Sequence, residues 1–179
     1  MRARWWSFLG TVLAYAAAAA WAAASGPDPF PTHFGLSGQP DSCTPRGEAV
    51  PLHAGIAAGV AVLFAVLALT APRIPASVIR TPRRDYWLSP AHRPAFDDIV
   101  SGFLLWAGGL FLVLQGATFV VTVIDPTETA AKSTLVILFL VALVGSVGYL
   151  IWLLMHPPKR SSTTARGARP GRSDSRSPR

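Results

Sequence analysis

Four long apolar stretches, Trp5–Ala24, Ala54–Ala71, Ile99–Ile124 and Ser133–Met155, contain no Asp, Glu, Lys, Arg or His. A hydrocarbon core ~30 Å thick is crossed by ~20 apolar residues in a helix, so each stretch is of spanning length. The expected fold class is therefore all-α: a polytopic membrane protein with four transmembrane helices, embedded in a lipid bilayer.

The charges set the expected threading. Of the sixteen Lys and Arg, all but Arg46 and Lys132 fall in the N-terminal turn (Arg2, Arg4), in the 73–98 connection, or between Lys159 and Arg179. The positive-inside rule places those segments in the cytoplasm, which puts both termini there. Arg46 and Lys132 go outside with Asp28, Asp41, Glu48, Asp125 and Glu128. Trp5, Trp6, Trp21 and Trp152 lie near the ends of their spans, at the headgroup depth an indole prefers. The net charge of +7 thus follows topology rather than a folded basic face, and no nucleic-acid partner is expected. Charged residues make up 14% of the chain, against roughly 25% in soluble domains. The strong excess of Arg over Lys, with abundant Ala, Gly and Pro, points to a GC-rich bacterial genome and hence to a multi-pass protein of the bacterial cell membrane.

The first stretch invites a second reading. It follows a basic start and ends Ala22-Ala23-Ala24-Ser25, as a cleaved signal peptide would. Its apolar run is longer than the usual ~7–15-residue h-region and holds Trp21 just before the site, so a retained helix is expected. Residues 1–156 then form one transmembrane domain. The segment 157–179 opens with Pro157-Pro158, continues through Ser, Thr, Gly and Arg, and is expected to be a disordered basic cytoplasmic tail. The single Cys43 cannot form an intramolecular disulfide.

Helices associate in lipid through close backbone approach, so small residues mark expected contact faces. Gly55 and Gly59 form a GxxxG in the second span; Gly102, Gly109 and Gly116 form a stripe in the third; Ala142, Gly145 and Gly148 do so in the fourth. Gln115, the only amide in any span, is expected to hydrogen-bond another helix. Proton relays and ion paths need intramembrane ionisable groups, and none is present. Ser101, Ser146, Thr118 and Thr122 likewise lack a base within any span. A non-enzymatic protein is expected, with no catalytic residues, cofactor or metal.

Two connections carry more pattern than tethers need. In the outer loop 25–53, prolines 27, 29 and 31 favour an extended approach, while Gly35 and Gly38 permit turns. His33 and Phe34 are then presented on a stiff segment. Three readings apply to this loop. The first is structural, with His33 bonding the backbone and Asp41 capping a turn. The second is recognition of an extracellular peptide. The third gathers His33, Asp28, Asp41 and Cys43 on a metal, although their spacing matches no zinc pattern. In the inner connection, Tyr86 and Trp87 beside Arg83 and Arg84 suit anchoring on an anionic leaflet or docking of a cytosolic partner.

The run Pro31-Thr32-His33-Phe34, followed by Gly38-Gln39-Pro40-Asp41 between two spans, resembles the DUF1648 motif. Arg83-Arg84-Asp85-Tyr86-Trp87-Leu88-Ser89-Pro90 resembles the tyrosine–tryptophan segment that follows the second span in such proteins, extending the likeness over about residues 5–95. The resemblance implies a helical membrane fold. It also implies kinship with the sporulation-delaying toxin immunity proteins, in which case the outer loop senses or blocks an external ligand. The candidate recognition or structural residues are Pro31, His33, Phe34, Gly38, Asp41, Asp85, Tyr86 and Trp87. The alternative is a structural or scaffolding subunit bound to another membrane protein.

Overall fold

A computed structural model describes residues 2–34, 40–127 and 130–157. In chain order the elements are α1 (Arg2–Ser25), β1 (Phe30–Phe34), β2 (Pro40–Thr44), α2 (Arg46–Thr70), α3 (Arg84–Trp87), α4 (Arg93–Ile124) and α5 (Ala130–Met155), with a 3-10 turn at Ala71–Arg73. Four of these helices are long and apolar enough to cross a membrane. The chain is mostly helical, as expected, with one addition to the all-α expectation: an antiparallel two-stranded hairpin between the first two long helices.

The helices outrun the apolar stretches. α2 begins eight residues before Ala54, where Pro45 occupies the N-cap and Glu48 places an acid in the first turn. α4 begins at Arg93 with Pro94 in its first turn, where the missing N–H costs nothing. Helix formation at both places follows start signals in the polar flanks rather than the limits of hydrophobicity.

α1, α2 and α5 each pack on α4, which lies at the centre. The core is built from Phe8, Tyr15, Ala19 and Ala22 of α1, Ala57, Ala61 and Ala68 of α2, and Leu105, Leu112 and Phe119 of α4. Small residues let these backbones approach. A Cβ on Gly102 would lie 2.7 Å from Arg4 Nη1, and one on Gly108 2.8 Å from Phe64 Cβ. Gly109 faces Thr11, and Gly116 faces Tyr15 and Ala18. The expected stripe 102/109/116 therefore meets 4/11/18 of α1, two heptad-spaced rows in register. Polar ties reinforce the seams. Arg4 Nη1 pairs with Asp98 Oδ2 at 2.8 Å, and Ser101 Oγ donates to the Ala68 carbonyl at 2.9 Å.

The other two small-residue faces do not pack as expected. Nothing comes within 4 Å of a Cβ built on Gly55, Gly59, Gly145 or Gly148. α2 turns alanines inward instead, and α5 buries only Lys132 and Leu154 against the rest of the chain. Gln115 is half-buried and has no side-chain hydrogen bond among the described residues, so backbone proximity rather than an amide bridge makes this contact.

Arg4, the connection 74–92 and Met155 gather at one end of the bundle, here the basic end; the hairpin caps the other. The expected disordered tail falls almost wholly on residues 158–179, which lie outside the described residues.

Candidate functional site

The hairpin is rooted in the helical core through one aromatic hub. Phe119 of α4 is 4% exposed. Its ring stacks on Tyr15 of α1 at 5.9 Å, and it meets Phe30 of β1 edge-on at 5.9 Å and His53 of α2 at 6.1 Å. Offset and edge-to-face contacts of this kind add roughly 0.5–1.5 kcal/mol each beyond burial. Phe30 is 3% exposed, so the first residue of β1 is a plug inserted among three helices. The Tyr15 hydroxyl is buried beside this hub and has no hydrogen-bond partner among the described residues.

A polar latch fixes the two ends of the hairpin. Asp28 Oδ1 accepts the Arg46 backbone N–H at 3.1 Å, satisfying one of the orphan donors at the start of α2. The Arg46 side chain reaches back and donates from Nη1 to the Gly26 carbonyl at 2.6 Å. Asp28 is therefore committed to the helix start and does not join a metal set with His33.

Above this base the hairpin is polar. Pairing runs Phe30 with Thr44, Pro31 with Cys43, His33 with Ser42 and Phe34 with Pro40, with irregularities on both sides of His33. Pro31, which cannot donate to a ladder, is buried at the base. His33 Nδ1 lies 2.6 Å from Asp41 Oδ1, and both side chains are more than half exposed. Thr32 Oγ1 sits within 3.5 Å of the Ser42 and Thr44 hydroxyls. Cys43 is exposed. A histidine–carboxylate pair and a hydroxyl cluster thus stand on a two-stranded platform rooted in the helical core, with donors and acceptors facing outward. Of the predicted motif, Pro31, His33 and Asp41 come together here. Phe34 contributes its backbone to β1, and Gly38 lies outside the described residues. Among the described residues no three of His, Cys, Asp or Glu are placed to hold a metal ion.

Asp85, Tyr86 and Trp87 lie at the opposite end, in α3. Trp87 is 2% exposed and donates from Nε1 to the Leu154 carbonyl at 2.7 Å. Arg83, in the left-handed region at φ 50°, donates from Nε to the Met155 carbonyl at 2.7 Å. These two donors satisfy carbonyls that the end of α5 leaves without helical partners. Tyr86 stacks on His92 at 3.9 Å, and Asp85 is exposed. A tryptophan this buried does not offer its ring to lipid headgroups; it packs with Phe96 and Leu154 in a satellite core. Amphipathic sequence alone suggested the interface, because the acceptor for Trp87 lies 67 residues away.

Sequence reasoning passed over Phe30, Arg46 and Phe119. A signal for the first two was present. Pro45-Arg46-Gly47-Glu48 marks a helix start, and a helix start at 46 brings Phe30 and Arg46 to the mouth of the bundle.

Comparison with characterised proteins and with solved structures yields no match. The match that does arise ends before the tyrosine–tryptophan segment. Residues 10–57, which span most of α1, the hairpin and the first half of α2, are similar to the family described as a domain of unknown function, DUF1648.

Proposed function

We propose that this chain is a non-enzymatic protein of a bacterial cell membrane, threaded with both termini in the cytoplasm, whose outer hairpin recognises an external peptidic ligand. The observation that carries this reading is the contrast within the hairpin. Its root is immobilised on Phe119 and latched by Asp28 and Arg46, while His33, Asp41, Ser42 and Cys43 stand exposed on it. Exposed polar groups on a rigid support bind with little ordering cost. The region similar to DUF1648 contains this hairpin, and the kinship with toxin-immunity proteins implied by sequence would make the ligand a secreted toxin that the hairpin senses or blocks.

The test compares cells carrying wild type with cells carrying His33→Ala/Asp41→Ala, matched for membrane level, under challenge with secreted peptides encoded near the gene. Protection by wild type and its loss in the variant is the expected result. Equal sensitivity of both strains and of the deletion strain, across the whole set, counts against the proposal.

A second reading has its own observation. The open glycine faces of α2 and α5 suit a scaffolding subunit that packs on another membrane protein. Crosslinking in membranes followed by purification in mild detergent tests it, and recovery as a lone monomer would leave it without support.

A further inference from the structure

α4 forms the floor of a trough at the basic end, with α1 as one wall and α5 as the other. Two clefts run along it. The first, of about 390 Å³, lies between α1 and α4 and reaches from Arg4 past Phe8 and Gly109 to Val113. The second, of about 330 Å³, lies between α4 and α5 and is walled by Phe103, Tyr149, Leu150 and Leu153. Both share Arg4, Gly102 and Trp106. Trp106 is 44% exposed and stands as the ridge between them. Arg4 lies at the fork, its guanidinium set over Gly102 where any Cβ would collide with it.

From these features we infer that the trough seats one anionic glycerophospholipid, with its phosphate on Arg4 and one acyl chain on each side of Trp106. The inference rests on the bundle lying in a membrane and is independent of what the hairpin binds. From Gly102 to Val113 the first cleft runs ~16 Å along α4, close to the ~15 Å hydrocarbon depth of one leaflet. Arg4 spends Nη1 on Asp98, at 2.8 Å to Oδ2 and 2.6 Å to the carbonyl, but a guanidinium carries five donors. Its side chain is 45% exposed, and Arg2 adds a second cation in the same helical turn. A phosphate there completes a charge-assisted fork that Asp98 fills in part. A partner helix, ~10 Å across, cannot divide around Trp106 into two clefts.

The test is native mass spectrometry of the full chain in mild detergent, titrated with dioleoylphosphatidylglycerol or dioleoylphosphatidylcholine. Wild type should bind one molecule of the anionic lipid about tenfold more tightly than the zwitterionic one. The neutral pair Arg4→Gln/Asp98→Asn should bind both equally. Asp98→Asn alone frees the guanidinium and should widen the preference; a purely structural ion pair would narrow it. Val113→Trp blocks the far end of the first cleft and should weaken both lipids about fivefold without changing their ratio. Arg80→Gln, in the exposed basic-end connection and away from Arg4, should leave the preference intact. The inference is overturned by equal affinities in wild type, by a preference that survives in the neutral pair or disappears in Arg80→Gln, or by recovery of a lipid-free dimer. Monodispersity and helical circular dichroism verify folding for each variant, and Asp98→Asn and Val113→Trp decide the matter should the double variant fail to fold.

Discussion

Phe119 is the side chain on which α1, α2 and the hairpin converge. Phe119→Ala should cost about 3 kcal/mol in reversible unfolding in detergent, from lost contacts and the cavity left behind. It should also raise backbone amide exchange through 30–34 and 40–44 more than at the basic end. Two glycines provide a paired test. Gly108→Ala forces a Cβ to 2.8 Å from Phe64 and should destabilise by about 1–3 kcal/mol. Gly55→Ala meets nothing within 4 Å and should leave stability unchanged or raise it by up to about 1 kcal/mol, because alanine is the better helix former. Equal effects from the two would contradict the packing described. His33 and Asp41 are exposed, so replacing both with alanine should alter unfolding by less than about 1 kcal/mol. Any functional loss in that variant is then a loss of recognition.

Among the four long helices, α5 is held least firmly by its own surface, since Lys132 and Leu154 are its only buried residues. Its basic end is instead secured by Trp87 and Arg83 donating to the Leu154 and Met155 carbonyls. Trp87→Phe keeps most of the apolar packing and removes the donor, so it should cost about 1–3 kcal/mol and increase amide exchange across 150–155 while leaving α1 unaffected. The sequence made the long helices legible because each is apolar throughout, and it marked the stripe 102/109/116 because glycines seven apart share a face. It was silent on which small-residue faces would be filled, since Gly55/Gly59 and Gly102/Gly109 are alike as local patterns and differ only in what tertiary packing brings to them. The hairpin was hidden for a related reason. Prolines signalled extension, but strand pairing depends on Phe30 and Arg46 reaching partners 89 and 20 residues away.

At the scale of the whole molecule, the bundle has two unlike ends. One carries Arg2, Arg4, Arg73, Arg80, Arg83, Arg84 and Arg93 around the connection 74–92; the other carries the hairpin and its His33–Asp41 pair. That asymmetry is what a cytoplasmic and an external face require, and the recognition proposal and the phospholipid trough both depend on it. The chain's single cysteine offers a direct test, because Cys43 is exposed on β2. Intact cells treated with a membrane-impermeant maleimide should be labelled at Cys43 without any prior substitution. A Cys43→Ser/Ser77→Cys variant, with its thiol moved to the exposed basic-end connection, should react only after lysis. Protection of Cys43 in intact cells, together with labelling at position 77, would contradict the account.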